Sequence, residues 1–163
     1  MGVRTMTNGE TSAETRAEED LPAQLAAIVE EFQALGERER LQLLLEFSQG
    51  LPGLPERYDA HREAMEPVPE CQSPVFLAVE VEPEIDRVVH VFFDAPPEAP
   101  TTRGFAGVLA EGLDGLPAEE VLSVPDDVPS MLGLTSAVSP LRLRGMAGML
   151  ARIKRRVREQ VAA

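Results

Sequence analysis

The sequence holds one cysteine in 163 residues, Cys71. That scarcity excludes an internal disulfide, a Cys-rich zinc or iron–sulfur site, and a dithiol redox pair within the chain. The residue can act only as a single thiol, alone or with a partner molecule. No apolar run approaches the ~20 residues of a membrane span. The first ten residues also lack the apolar stretch of a signal peptide. A free thiol without an export signal fits a reducing cytosol, so a cytoplasmic location is expected.

At 163 residues and 17.7 kDa the default is one domain, large enough to bury a core without metals or disulfides. The formal net charge is −13. Residues 141–163 carry seven basic groups and one acid, a local +6, which leaves −19 on residues 1–140. An acidic bulk of that size argues against nucleic acid as the main partner and can steer the chain toward a basic protein surface.

Residues 1–19 are polar, without a periodic apolar face, and read as a disordered tail ahead of a domain at 20–163. Asp20 is a candidate N-cap, and Leu25, Ile28, Val29, Phe32 and Leu35 then follow helical spacing, with Gly36 as the stop. A second helix runs from about Glu37 to Gln49 and closes at Gly50. Residues 51–70, with Pro52, Pro55, Pro67 and Pro69, read as an irregular connector holding Tyr58 and His61. Val75 to Val81 alternates as a strand, Glu82–Asp86 turns, and Val88 to Phe93 returns, so the pair forms an antiparallel hairpin. His90 lies in that second strand and reads as packed or hydrogen-bonded. A helix carrying Phe105, Val108, Leu109 and Leu113 comes next, then a short one begun by Pro117. Ser136 or Ser139 caps a last helix whose Met146, Met149, Leu150, Ile153, Val157 and Val161 form an apolar stripe. Its Arg152, Lys154, Arg155, Arg156 and Arg158 read first as a solvated face suited to the helix dipole, and second as a docking surface.

The candidate site is the loop Val68-Pro69-Glu70-Cys71-Gln72-Ser73-Pro74, which runs straight into a strand. Loops carried on rigid elements are where chemistry is placed. The competing reading is that Cys71 is a small buried hydrophobe, against which its polar and proline neighbours count. Attack on a persulfide or disulfide needs thiolate, nucleophilicity and access. Glu70 beside the thiol raises its pKa, so activation has to come from a partner or from an arginine such as Arg142.

Three stretches resemble the SufE family, the sulfur-acceptor partners of cysteine desulfurases in iron–sulfur cluster assembly. Cys71-Gln72-Ser73-Pro74-Val75-Phe76-Leu77 resembles the family's signature loop. Glu98-Ala99-Pro100-Thr101-Thr102-Arg103-Gly104 is similar to its acidic-Ala-x-x-x-Arg/Lys-Gly segment, with glutamate where aspartate is more frequent. Ser139-Pro140-Leu141-Arg142-Leu143-Arg144-Gly145 is similar to Ser-Pro-Ser-Arg-x-Asn-Gly, with Leu141 in place of serine and Arg144 in place of asparagine. The resemblance spans residues 21 to 160. It implies an α+β fold, a small antiparallel sheet with helices packed against it, similar to the iron–sulfur scaffold proteins. It implies Cys71 as persulfide acceptor, supported by Gln72, Ser73, Glu98, Arg103 and Arg142. The implied partners are a SufS-like pyridoxal-phosphate cysteine desulfurase, whose turnover the chain raises, and a scaffold complex that receives the sulfur. The cofactor belongs to the desulfurase, and the sole lysine here, Lys154, does not suggest a cofactor site.

Two other classes of function compete with this sulfur-transfer accessory role. One is a cysteine-dependent enzyme with Cys71 as nucleophile and His61 or His90 as base. The other is an interaction module whose thiol is incidental.

Overall fold

The computed structural model describes residues 21–163. The expected tail at 1–19 and the Asp20 cap lie outside the described residues. The first helix among the described residues, α1 (Ala23–Gln33), starts on Pro22, and Leu25, Ile28, Val29 and Phe32 form its buried stripe. Gly36 does not stop it. Ala34 is the C-cap, and Gly36 is instead the extended N-cap of α2 (Glu37–Gln49). The helix end needs no left-handed glycine because Arg40, one turn into α2, donates from Nε to Phe32 O at 2.8 Å. A second guanidinium nitrogen reaches Gln33 O. A helix C-terminus leaves its last carbonyls short of partners, and Phe32 O takes this bond beside one from Leu35 N at 3.2 Å.

The connector at 51–70 is more ordered than its prolines suggest. It holds a single helical turn, α3 (Glu56–Asp59), a 3-10 turn at Arg62–Ala64 and a two-residue strand, β1 (Glu66–Pro67). Strand β2 (Phe76–Val81) pairs antiparallel with β1 on one side and with β3 (Val89–Asp94) on the other, so the sheet order is β1-β2-β3. Leu77 faces Phe93, Val79 faces Val91 and Val81 faces Val89, and this face packs into the core. On the other face Tyr58 packs at a tilt on Phe92 with ring centroids 5.2 Å apart, and Arg57 and Tyr58 both bond Glu80.

Helix α4 (Pro100–Leu113) is buried along most of its length and forms the centre of the helical layer. It approaches α2 so closely that a Cβ at Gly104 would collide with Leu44 O, and one at Gly107 with Phe47 O. After the short helices α5 (Ala118–Leu122) and α6 (Val128–Met131) comes α7 (Pro140–Ala162). Ser139 is its cap, with Oγ accepting from Arg142 N at 3.3 Å. Met146, Met149, Leu150, Ile153 and Val157 are buried, each contributing on the order of 1.5–3 kcal/mol of burial. The α+β arrangement of a small antiparallel sheet under packed helices is therefore as the resemblance implied.

The basic run on α7 is not simply a solvated face. Lys154 is only 6% exposed, and its Nζ donates to Val124 O and to Asp126 Oδ1. Arg152, Arg155 and Arg156 all turn to the segment before Cys71. Among the described residues, no helix is long and apolar enough to cross a membrane.

Candidate functional site

Cys71 ends a 3-10 turn, Pro69–Cys71, inside a loop that is tied at both ends. Val68 N donates to Val75 O at 2.9 Å, so the eight-residue excursion closes onto the first residue before β2. Cys71 N and Gln72 N donate back to Val68 O and Pro69 O. Gln72 then takes a left-handed conformation, φ 58°, which reverses the chain toward β2. Val68 and Val75 are 1% exposed and anchor the loop in the core, while Cys71 between them is half-buried.

The thiol rests on α7. Cys71 Sγ lies 3.7 Å from Gly145 O, within reach of a weak S–H donor bond. Glycines at 145 and 148 make the seat: a Cβ at 145 would stand 3.2 Å from Sγ and 3.3 Å from Cys71 Cα, and one at 148 would meet the Glu70 carboxylate. Gly145 matches the family pattern, and this close approach is a physical reason for glycine there.

Glu70, next to the thiol, is held bidentately by Arg152, through Nη1 to Oε2 and Nη2 to Oε1 at 2.9 Å. Arg152 Nε lies 3.1 Å from Glu66 Oε2 in a geometry too poor for a hydrogen bond. Glu66 takes its hydrogen bonds from Arg155 and Arg156 instead. Burial raises the Glu66 pKa, but those two guanidinium groups outweigh it and the net shift is downward. Burial pushes the Cys71 thiol up to about 11; the Glu70 charge adds to this, and Arg152 partly opposes it. At neutral pH the resting residue is a thiol.

Beside the thiol opens a cavity of about 580 Å³, lined by Cys71, Gln72, Ser73, Glu98, Thr101 and Arg142 among others. Five of the six residues singled out in the sequence thus meet at one hollow, although up to 71 positions separate them. Arg142 is exposed and reaches Thr101 Oγ1 at 3.4 Å, and Leu141, in place of the family serine, also lines the wall. Arg103 is elsewhere. Its Nε donates to Ser48 O at 3.0 Å and its Nη1 to Ala95 O, so it clamps α4 to α2 and to the turn after β3. The cation that draws the thiol pKa down is Arg152. The pairing of Arg152 with Glu70 lay hidden in the sequence because the two are 82 positions apart.

Neither histidine lines this cavity. His61 is exposed and pairs with Glu63 at 3.1 Å. His90 contacts Glu82 at 2.8 Å and Asp114 at 3.5 Å, and the Glu82 bond chiefly holds its pKa above the usual value. A hollow of about 620 Å³ on another flank of α4 is lined by Glu46, Phe47, Phe92, Glu111 and others, but by no thiol, hydroxyl or imidazole. Among the described residues, no three His, Cys, Asp or Glu side chains cluster as metal ligands.

A family model for SufE, described as an Fe-S metabolism associated domain, matches residues 26–157. Uncharacterized SufE-like proteins from two strains of Mycobacterium tuberculosis are 55% identical over 139 residues, covering 85% of this chain and 94% of theirs. SufE-like protein 1, chloroplastic/mitochondrial, of Arabidopsis thaliana is 29% identical over 133 residues, covering 81% of this chain and 34% of that longer protein. Among solved structures, the solution structure of a hypothetical protein from Thermus thermophilus matches with a TM-score of 0.76 at 37% identity. The match covers 88% of this chain and 99% of that one.

Proposed function

The chain belongs to the SufE family and so to Fe-S metabolism, and on that premise we propose that it is a sulfur carrier whose Cys71 accepts a persulfide sulfur from a cysteine desulfurase. The observation that carries this reading is a single half-buried thiol on a loop at the edge of a polar cavity. The desulfurase brings the pyridoxal phosphate. The chain acts as its accessory, raises its turnover by removing the sulfur, and hands that sulfur to a cluster scaffold.

The chemistry balances without an outside oxidant. The Cys71 thiolate attacks the terminal sulfur of the donor persulfide, and a new S–S bond forms at Cys71. The donor's S–S bond breaks, and its electron pair leaves on the donor thiolate. That thiolate takes up the proton that Cys71 gave up, so a persulfide and a thiol exchange identities. The cavity gives the added sulfur a place to lie. Gln72 and Ser73 offer hydrogen-bond donors there, and Arg142 offers positive charge to a persulfide anion. Glu98 lines the same cavity. Arg103 acts at one remove, by fixing Ala95 and with it the turn that leads to Glu98.

A resting thiol pushed up to about 11 is a poor nucleophile. Leaving the seat on α7 removes both the burial and the proximity to Gly145. The docked desulfurase is the natural agent of that step.

The test is Cys71→Ser. The variant should bind a cysteine desulfurase as the parent does, accept no sulfur and give no stimulation. Sulfur uptake by the variant, or hydrolytic or transferase turnover by the parent without any desulfurase, contradicts the reading.

A further inference from the structure

The ion pair beside the thiol has the geometry of a fastener. Glu70 is the residue before Cys71, and its carboxylate is gripped at both oxygens by one guanidinium. The grip is one-sided in exposure, since the Arg152 side chain is 18% exposed and the Glu70 side chain 40%. Arg152 is itself fixed on the helix that forms the seat, one turn beyond Gly148, with Nη1 also donating to Gly148 O. Gly145 and Gly148 let the loop lie flat on that helix, and the apolar anchors Val68 and Val75 bracket it. Between those anchors the Cys71 turn packs against α7, and the Glu70–Arg152 pair is the charged fastening between the two. Among the described residues the thiol's hydrogen bond to Gly145 O is long, and sulfur is a weak donor.

We propose that Arg152 is a positioning residue that latches the Cys71 loop shut through Glu70, and that the latch is opened by a partner cation that captures the Glu70 carboxylate. This deepens the sulfur-carrier reading by naming the control on thiol access. Bidentate guanidinium–carboxylate pairs are the stronger kind, because two parallel N–H···O bonds fix orientation as well as charge. The exposed half of the pair is the carboxylate, so a guanidinium or ammonium on the rim of a partner's pocket can replace Arg152 without first dislodging it. Capture by a partner cation keeps the Glu70 carboxylate paired throughout, whereas unassisted opening leaves it without a cation; in both cases Arg152 keeps Glu66 Oε2 at 3.1 Å. A partner with the right charge can therefore open the loop, while a small thiol reagent meets it closed.

The test needs no desulfurase: the rate of Cys71 alkylation by iodoacetamide is measured in the full chain near neutral pH. Glu70→Gln and Arg152→Gln should each raise the rate roughly five- to tenfold, since either one removes the pair from the closed state only. Arg152→Lys, which keeps the charge but loses the fork, should fall between Arg152→Gln and the parent. Added salt should speed the parent more than either glutamine variant. The directions separate a latch from a plain charge effect. If Arg152 served only to lower the thiol pKa, Arg152→Gln would slow alkylation while Glu70→Gln sped it. That pattern, or two variants within twofold of the parent, overturns the latch. Desulfurase-dependent sulfur uptake is scored separately, so loss of the carrier reading leaves the alkylation result standing.

Discussion

Gly145 lies beneath Cys71, with the thiol sulfur 3.7 Å from the glycine carbonyl oxygen and only tight space for an added Cβ. Two effects of replacing Gly145 by alanine therefore oppose each other. Within a helix, alanine is favoured over glycine by about 1 kcal/mol. The new Cβ would stand 3.2 Å from the sulfur and 3.3 Å from its Cα, so the loop must give way by a few tenths of an ångström. Gly145→Ala should leave the melting temperature unchanged or slightly raised while speeding Cys71 alkylation several-fold. A melting curve and an alkylation time course on the same sample separate the two effects.

The thiol's titration gives a second expectation. Burial first and Glu70 second hold Cys71 at about 11. Alkylation should climb about tenfold per pH unit from neutrality and go on rising past pH 10, where an unperturbed thiol, with a pKa of about 8.5, has levelled off. The folded-state pKa lies above the unfolded value. The group's contribution to stability is therefore fully present below about pH 9 and is lost as the pH rises toward 11. A plateau at or below about pH 10 would place the thiol in an environment unlike this one.

The two motif arginines should behave in opposite ways. Arg103 satisfies Ser48 O and Ala95 O, and stranding partly buried carbonyls costs on the order of 1–3 kcal/mol in total. Arg103→Ala should lower stability by about 2 kcal/mol on that basis. Arg142 is exposed with a single long bond to Thr101, so Arg142→Ala should stay within about 0.5 kcal/mol. Its loss should show in sulfur uptake instead. Denaturant melts and persulfide transfer, run on both variants, check the assignment.

Overpacking gives the clearest prediction for the core. A Cβ at Gly107 would strike the Phe47 carbonyl, which is backbone and cannot swing away. Gly107→Ala should cost about 1–3 kcal/mol despite alanine's better helix propensity. Chemical denaturation of the variant measures it.

How much of this could be read from the chain depends on how local the signal is. Periodicity revealed α1, α2, β2, β3 and α7, because each carries its own apolar stripe. Strand β1 has two residues, one of them proline, and no alternation can show in so short a piece. Gly36 misled because a glycine after a helix usually ends it, whereas here Arg40 reaches back to satisfy those carbonyls. At the site, the motif residues Cys71, Gln72, Ser73, Glu98 and Arg142 could be named from three short stretches. What the side chains contact could not be. Arg103 and Arg142 look alike as letters, yet one closes the helix packing and the other faces a cavity. The basic run on α7 resembled a solvated face because its carboxylate partners, Glu66 and Glu70, stand more than 80 positions away.

The most direct measurement is intact-mass and peptide mass spectrometry of the full chain after incubation with a cysteine desulfurase and free cysteine. The carrier account predicts one added sulfur, removable by a reducing thiol, located on the peptide containing Cys71 and absent from Cys71→Ser. An unmodified Cys71 beside a desulfurase that is binding the chain and turning over would contradict it.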